Sequence, residues 1–259
     1  EREADRIGLQ LLDGAGFDPR GMSGFFERLQ RATRVYEGGA PSYLRTHPMT
    51  YERIADIQNR VEGLPYRQVP DSLDFQLIRA KLRAESENAR DAVAFFETSL
   101  AERKFLSETA SRYGLVASLM RMRDFTRAQR EIAPLRNVAS PIIANLACQL
   151  AQSTGSPERA LACYQSALRT YPNTRTLIYA HADQLLRAKQ PAAALKQVEL
   201  RLKVQPDDAR LYLLQARAYA ALGNGLMQHR SQAEAYMRNG QLGAAVEQLQ
   251  IALKIGTGD

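Results

Sequence analysis

Asn145–Asn173 reads NLACQLAQSTGSPERALACYQSALRTYPN, two helix-forming runs either side of a Gly-Ser-Pro break. Small residues recur in both runs, and a proline follows the second. Small side chains let two helices touch, and proline ends a helix because it lacks an N–H donor and crowds the preceding turn. The same residue types return 34 positions on: Ala160 is followed by Ala194, Tyr164 by Val198, Cys148 by Ala182 and Pro172 by Pro206. A fixed period of that length marks stacked helical hairpins, none of which can bury its apolar face alone.

Arg175–Asp208 reads as a second unit, and Asn224–Ile255 as a last one, with Ala233, Tyr236, Ala245, Leu249 and Ala252 at equivalent offsets. Between them Asp208–Gly223 (DARLYLLQARAYAALG) supplies an extra helix that breaks the register. Upstream, Arg112–Leu135 and Asp74–Leu100 look like more degenerate hairpins, making about four to five in all. The pattern resembles the tetratricopeptide repeat. No alternating β-rich run occurs, so the chain reads as all-α.

Composition shifts near residue 70. Before it, Gly14, Gly16, Pro19, Gly38, Gly39, Pro41, Pro48, Gly63, Pro65 and Pro70 divide the chain into about three helices, the first with Ile7, Leu11 and Leu12 as its apolar side. Across 259 residues, 45% are hydrophobic and 24% charged, which excludes disorder as a description of the whole. No apolar run reaches the roughly 18 to 20 residues of a membrane span. The formal charge is +7, but the basic runs are interleaved with Asp and Glu and carry no aromatic stacking pattern, so a solvated surface is expected and nucleic-acid binding is not. Cys148 and Cys163, with no CxxC, exclude a thiolate zinc site. A packing contact between the helices of one repeat is the expected role, with a disulfide left open.

Repeats make a surface but bring no reactive groups. The opening residues bring more. EREAD places Glu1 and Asp5 one helical turn apart on a shared face, and THPMTYERIAD follows at Thr46–Asp56. One carboxylate can ligate zinc, and a second, one turn on, can accept the ring N–H of a ligating histidine. E-x-x-A-D followed by a His-Pro loop resembles the zinc metalloproteases of the CAAX prenyl protease and HtpX type.

That resemblance implies Glu1 as a zinc ligand, Asp5 as a catalytic residue acting from behind the metal, and His47 near the zinc as oxyanion donor or occupant of the open position. It also implies that Arg53 orients the loop or pairs with a carboxylate. The fold implied is the C-terminal helices of a zincin-type protease domain (1–70) followed by a repeat solenoid (71–259). The departure is that no H-E-x-x-H occurs: the three histidines are His47, His181 and His229. The motif is expected upstream, with Zn2+ held in the full-length enzyme, and the present chain is expected to bind no stable zinc and to be inactive alone.

Family members with a repeat tail imply a periplasmic location, outer-membrane β-barrel proteins and their assembly machinery as partners, and a protease or chaperone-like role. A peripheral membrane contact is left open. Inner-helix positions for partner binding are Asn145, Gln149, Gln152, Tyr179, Asp183 and Arg217, each of which could equally be ordinary surface. His181 is expected in a helix interface and His229 at the surface. The alternative is a non-enzymatic tetratricopeptide adaptor, in which EREAD is a solvated charged face.

Overall fold

The computed structural model describes residues 1–33, 50–86 and 88–257, and His47 with the rest of the His-Pro loop lies outside them. Regular structure among the described residues is helical throughout, fourteen α-helices and one short 3-10 turn, in two units, Glu1–Asp71 and Ser72–Asp259.

The first unit holds α1 (Arg2–Gly14), α2 (Gly21–Thr33) and α3 (Thr50–Val61). Asp18 Oδ1 accepts from the Arg20 N–H at 3.0 Å, and Gly16, at φ +81°, takes the left-handed turn that ends α1. Leu9, Phe26, Ile57 and Val61 form the core. The face of α1 that enters it is Asp5 and Leu9, both buried, whereas Ile7 and Leu11 are 47% and 67% exposed. The expected apolar side of α1 is therefore corrected. Two faces of this helix are offered, and the one carrying a charge is chosen because α3 supplies that charge with a partner.

The second unit runs through α4 (Leu73–Ser86), α5 (Ala89–Ala101), α6 (Glu108–Arg121), α7 (Phe125–Glu131), the 3-10 turn (Ala133–Asn137), α8 (Pro141–Thr154), α9 (Pro157–Thr170), α10 (Arg175–Arg187), α11 (Pro191–Leu202), α12 (Ala209–Ala221), α13 (Gly225–Arg238) and α14 (Leu242–Thr257). Local sequence sets the starts. Side chains of Asn88, Ser107, Asp124, Ser156, Asp208 and Asn224 each accept a backbone N–H in the first turn of the following helix. From α8 to α14 each helix packs on the next.

A ladder of small buried residues threads the stack at Ala80, Gly114, Cys148, Ala182 and Ala216, each 34 from the last. The helix at Asp208–Gly223 thus does not break the register where expected, since α12 takes the next first-helix place through Ala216. The break falls one helix later. Gln228, only half-buried, stands where Ala160 and Ala194 stand in earlier repeats, and the pairing resumes at Ala233 and Ala245, both buried. Helix α13 packs against both α12 and α14.

Gly114 is the tightest point of the ladder. A Cβ there would meet ring carbons of Phe96 at 2.2 to 2.7 Å, and Phe96 is itself buried. Gly114→Ala is expected to lose about 1–3 kcal/mol through overpacking, despite the better helix propensity of alanine. A Tm equal to or above wild type by circular dichroism would contradict this close contact.

Cys148 and Cys163 are joined as a disulfide across α8 and α9, with Cα atoms 5.4 Å apart. The expected plain packing contact is corrected. Helices brought together by small neighbours set the two Cα atoms within bonding range.

His181 packs from α10 onto α11. Its Nδ1 lies 2.6 Å from Gln197 Oε1, while Gln197 Nε2 donates to the Ile178 carbonyl at 3.2 Å, so Nδ1 carries the proton. Nε2 is buried without a hydrogen-bond partner. Burial outweighs the Gln197 contact and pulls the imidazole below its ordinary range. The fold therefore prefers neutral His181: its contribution is full above the unfolded value of about 6.5 and is lost as pH falls below that. Tm should drop on acidification from about pH 7.5 to about pH 5, and less so in His181→Gln. Parallel pH profiles for the two proteins would refute the assignment. His229 is half-buried rather than exposed, its Nδ1 2.8 Å from Gln248 Oε1, because the last two helices pack closely there.

Candidate functional site

Two constellations collect the sequence candidates, one in each unit. In the first, α1 presents Glu1 and Asp5 on one face and α3 presents Arg53 opposite. Arg53 grips Asp5 in a fork, Nε to Oδ2 and Nη2 to Oδ1, both at 2.7 Å, and reaches Glu1 Oε2 with Nη1 at 3.3 Å. The guanidinium lies 4.2 Å from the Phe26 ring centroid. The Asp5 hydrogen bond, opposed by burial, raises the Arg53 pKa above its ordinary value. Arg2 adds a second link between the same helices, to Glu52 at 2.9 Å.

This geometry gives Asp5 a defined task. Both of its oxygens are engaged by Arg53, so it positions α1 against α3 and holds the side chain that also contacts Glu1. Glu1 offers a carboxylate about a third exposed. The described residues contain no cluster of three or more His, Cys, Asp or Glu able to hold a metal. The donor set in hand is a single carboxylate, which does not fit a complete zinc site, and His181 and His229 belong to the other unit.

The second constellation is a groove of about 460 Å³ on the second unit, and all six partner-binding candidates line it. Asn145, Gln149 and Gln152 come from α8, Tyr179 and Asp183 from α10, and Arg217 from α12. Asp183 accepts from Arg217 Nη1 at 2.6 Å and from Arg187 Nε at 2.7 Å. Burial works against its charge, but the two guanidiniums outweigh it and hold the carboxyl below its usual range. Tyr179 donates to Asp208, and burial with that carboxylate pushes its hydroxyl up to about 12. Tyr164 donates to Gln152 Oε1 at 3.3 Å.

Tyr164, Thr176 and Arg210 also line the groove and escaped the sequence reading. The 34-residue period gave no signal for them. The groove is built from equivalent positions: Gln149, Asp183 and Arg217 are 34 apart, as are Asn145, Tyr179 and Leu213, and Thr176 and Arg210. Thr176 and Arg210 are equivalent only to each other, so the period does not reach either from the six candidates.

One helical unit thus carries a carboxylate pair gripped by arginine, and the other a grooved stack of 34-residue hairpins. Residues 1–61 match Peptidase family M48, a metalloprotease family. Across nearly its full length the chain is similar to the beta-barrel assembly-enhancing protease of Escherichia coli (strain K12), at 30% identity over 99% of this chain and 54% of that relative. The Yersinia pestis protein of the same name is 26% identical over 95% of this chain and 51% of that relative. The chain spans about half the length of the curated relatives it matches. A tetratricopeptide repeat protein from Parabacteroides merdae superposes with a TM-score of 0.53 at 15% identity, covering 97% of this chain and 98% of that one, a likeness of fold alone.

Proposed function

We propose that this chain is the C-terminal part of a zinc metalloendopeptidase of the β-barrel assembly-enhancing type, in which residues 1–70 close the protease domain and 71–259 recruit protein partners. The similarity over 99% of the chain to the Escherichia coli enzyme carries this reading, because it spans both units together. On it, Glu1 is the metal ligand contributed here, Asp5 and Arg53 hold α1 in place, and His47 acts near the metal. The remaining ligands come from sequence upstream, and residues 1–259 alone are inactive.

The relatives are named for β-barrel assembly, and on this reading the clients are outer-membrane β-barrel proteins, for which the groove on the repeat unit offers polar and aromatic contacts. A periplasmic setting is supported by the Cys148–Cys163 disulfide, a bond that persists in oxidising compartments. No helix of the described residues is long and apolar enough to cross a membrane.

The test uses the complete reading frame. About one zinc per chain by elemental analysis and cleavage of casein are expected, both reduced by Glu1→Gln. Absence of zinc and of cleavage from folded, intact protein would leave a non-enzymatic repeat adaptor.

A further inference from the structure

Helix α14 packs chiefly on α13 among the described residues, and its inward side is Ala245 and Ala252, both buried. About a quarter of a turn round the helix stands a second apolar row, Leu242, Val246, Leu249 and Leu253, whose members are 46% to 67% exposed. A capping helix of a repeat stack has a polar outer side, and α14 does not. Its sixteen residues hold two charges, Glu247 and Lys254, and both lie about a third of a turn from the row.

The row has a definite period. Its members are four, three and four residues apart, the seam of a left-handed helix pair. Those steps read the same in either direction. A second α14 running the opposite way therefore offers a matching row, with Leu242 against Leu253 and Val246 against Leu249, a contact that closes on a two-fold axis. The positions bordering the seam, Gly243, Ala245, Gln250 and Ala252, are small or uncharged, so two such helices can approach without opposing charges. Gly256 takes the next seam position. A Cβ there would lie 3.1 Å from Leu226 Cδ1, so Leu226, itself 37% exposed, carries the apolar surface onto α13.

Area and charge choose the occupant. A half-exposed leucine or valine leaves about 100 Å² uncovered, so two copies meeting along the row and at Leu226 would cover on the order of 1,000 Å², the lower edge of a specific interface. An anionic membrane surface is held by several Lys and Arg bordering an apolar face, and α14 has Lys254 alone.

We infer that α14 pairs with α14 of a second copy of this chain, antiparallel about an axis between Val246 and Leu249, to give a dimer of micromolar strength. The pairing is independent of the metalloendopeptidase reading, since none of its residues belongs to the Glu1–Asp71 unit.

Sedimentation velocity of the complete protein tests it. Between about 1 and 100 µM the mass should rise from one chain to two. Leu249→Glu should weaken association at least about tenfold and leave Tm within about 2 °C of wild type, because the side chain it replaces is exposed. Sodium chloride at about 0.5 M should change the wild-type dissociation constant by less than about twofold, as no charge lies on the seam. Leu242→Cys and Leu253→Cys proteins, mixed under mild oxidant, should join to each other faster than either joins to itself. A single-chain mass at about 100 µM, a dimer that Leu249→Glu leaves intact, or crosslinking fastest within each single variant would each overturn the pairing. Binding of wild type but not Leu249→Glu to phosphatidylglycerol vesicles, with the free protein at one chain's mass, would overturn it in favour of lipid. Should Leu249→Glu fail to fold, the dilution series and the cysteine pair decide alone.

Discussion

Arg53→Met is expected to destabilise the Glu1–Asp71 unit by about 3 kcal/mol or more, enough to expose it to protease at room temperature. The Asp5 side chain is 8% exposed and that of Arg53 20%, and the fork between them is bidentate at 2.7 Å. Deleting the cation leaves a largely buried carboxylate without its partner, and that orphaned charge carries most of the loss. The apolar core of the unit is small, four buried side chains among the described residues, so little else resists. Arg53→Lys should rescue only part, since an ammonium cannot make both bonds at once. Limited proteolysis and thermal melting check this, and wild-type resistance in Arg53→Met would show that the fork contributes nothing. On the proposed reading as the end of a metalloendopeptidase, the same variant of the complete protein should also lose casein cleavage, as α1 no longer holds Glu1 in place.

Removing the disulfide has the next largest expected effect. Cys148 and Cys163 close a loop with a separation of 15 residues, which in the chain-entropy account amounts to about 3 kcal/mol. The double variant Cys148→Ala with Cys163→Ala should lower Tm by roughly 6–12 °C for the repeat unit, and a reductant should do the same to wild type. Because solenoids transmit stability mainly to neighbours, the loss should centre on α8 to α10 by hydrogen exchange and leave α4 to α6 protected. Identical melts with and without reductant would argue that the hairpin is held by packing alone.

Much of the repeat unit was legible because its period is a local property. Helix starts follow from residues such as Ser156 and Asp208, and a small residue every 34 positions follows from the distance two helices must approach. Gly114 and Ala216 were passed over since their neighbours are degenerate. Their equivalence depends on what touches them, Phe96 in the case of Gly114. The six groove candidates were found from helix position, and they meet because equivalent positions on stacked hairpins fall on one surface.

The opening unit was less legible. Its motif could be seen, but the apolar stripe of Ile7 and Leu11 misled, for amphipathicity says that a helix has a face and not which neighbour will claim it. From sequence Asp5 could serve a ligating histidine or a structural cation, and only the approach of α3 commits both its oxygens to Arg53.

Residue order alone determined the helical class, the 34-residue hairpin stack and the candidate residues of both sites, because capping, periodicity and small-residue spacing act over a few turns of chain. Tertiary structure decided the Cys148–Cys163 bond, the Asp5–Arg53 fork and the place where the register fails. Each depends on distances between segments far apart in sequence, set only when the helices pack.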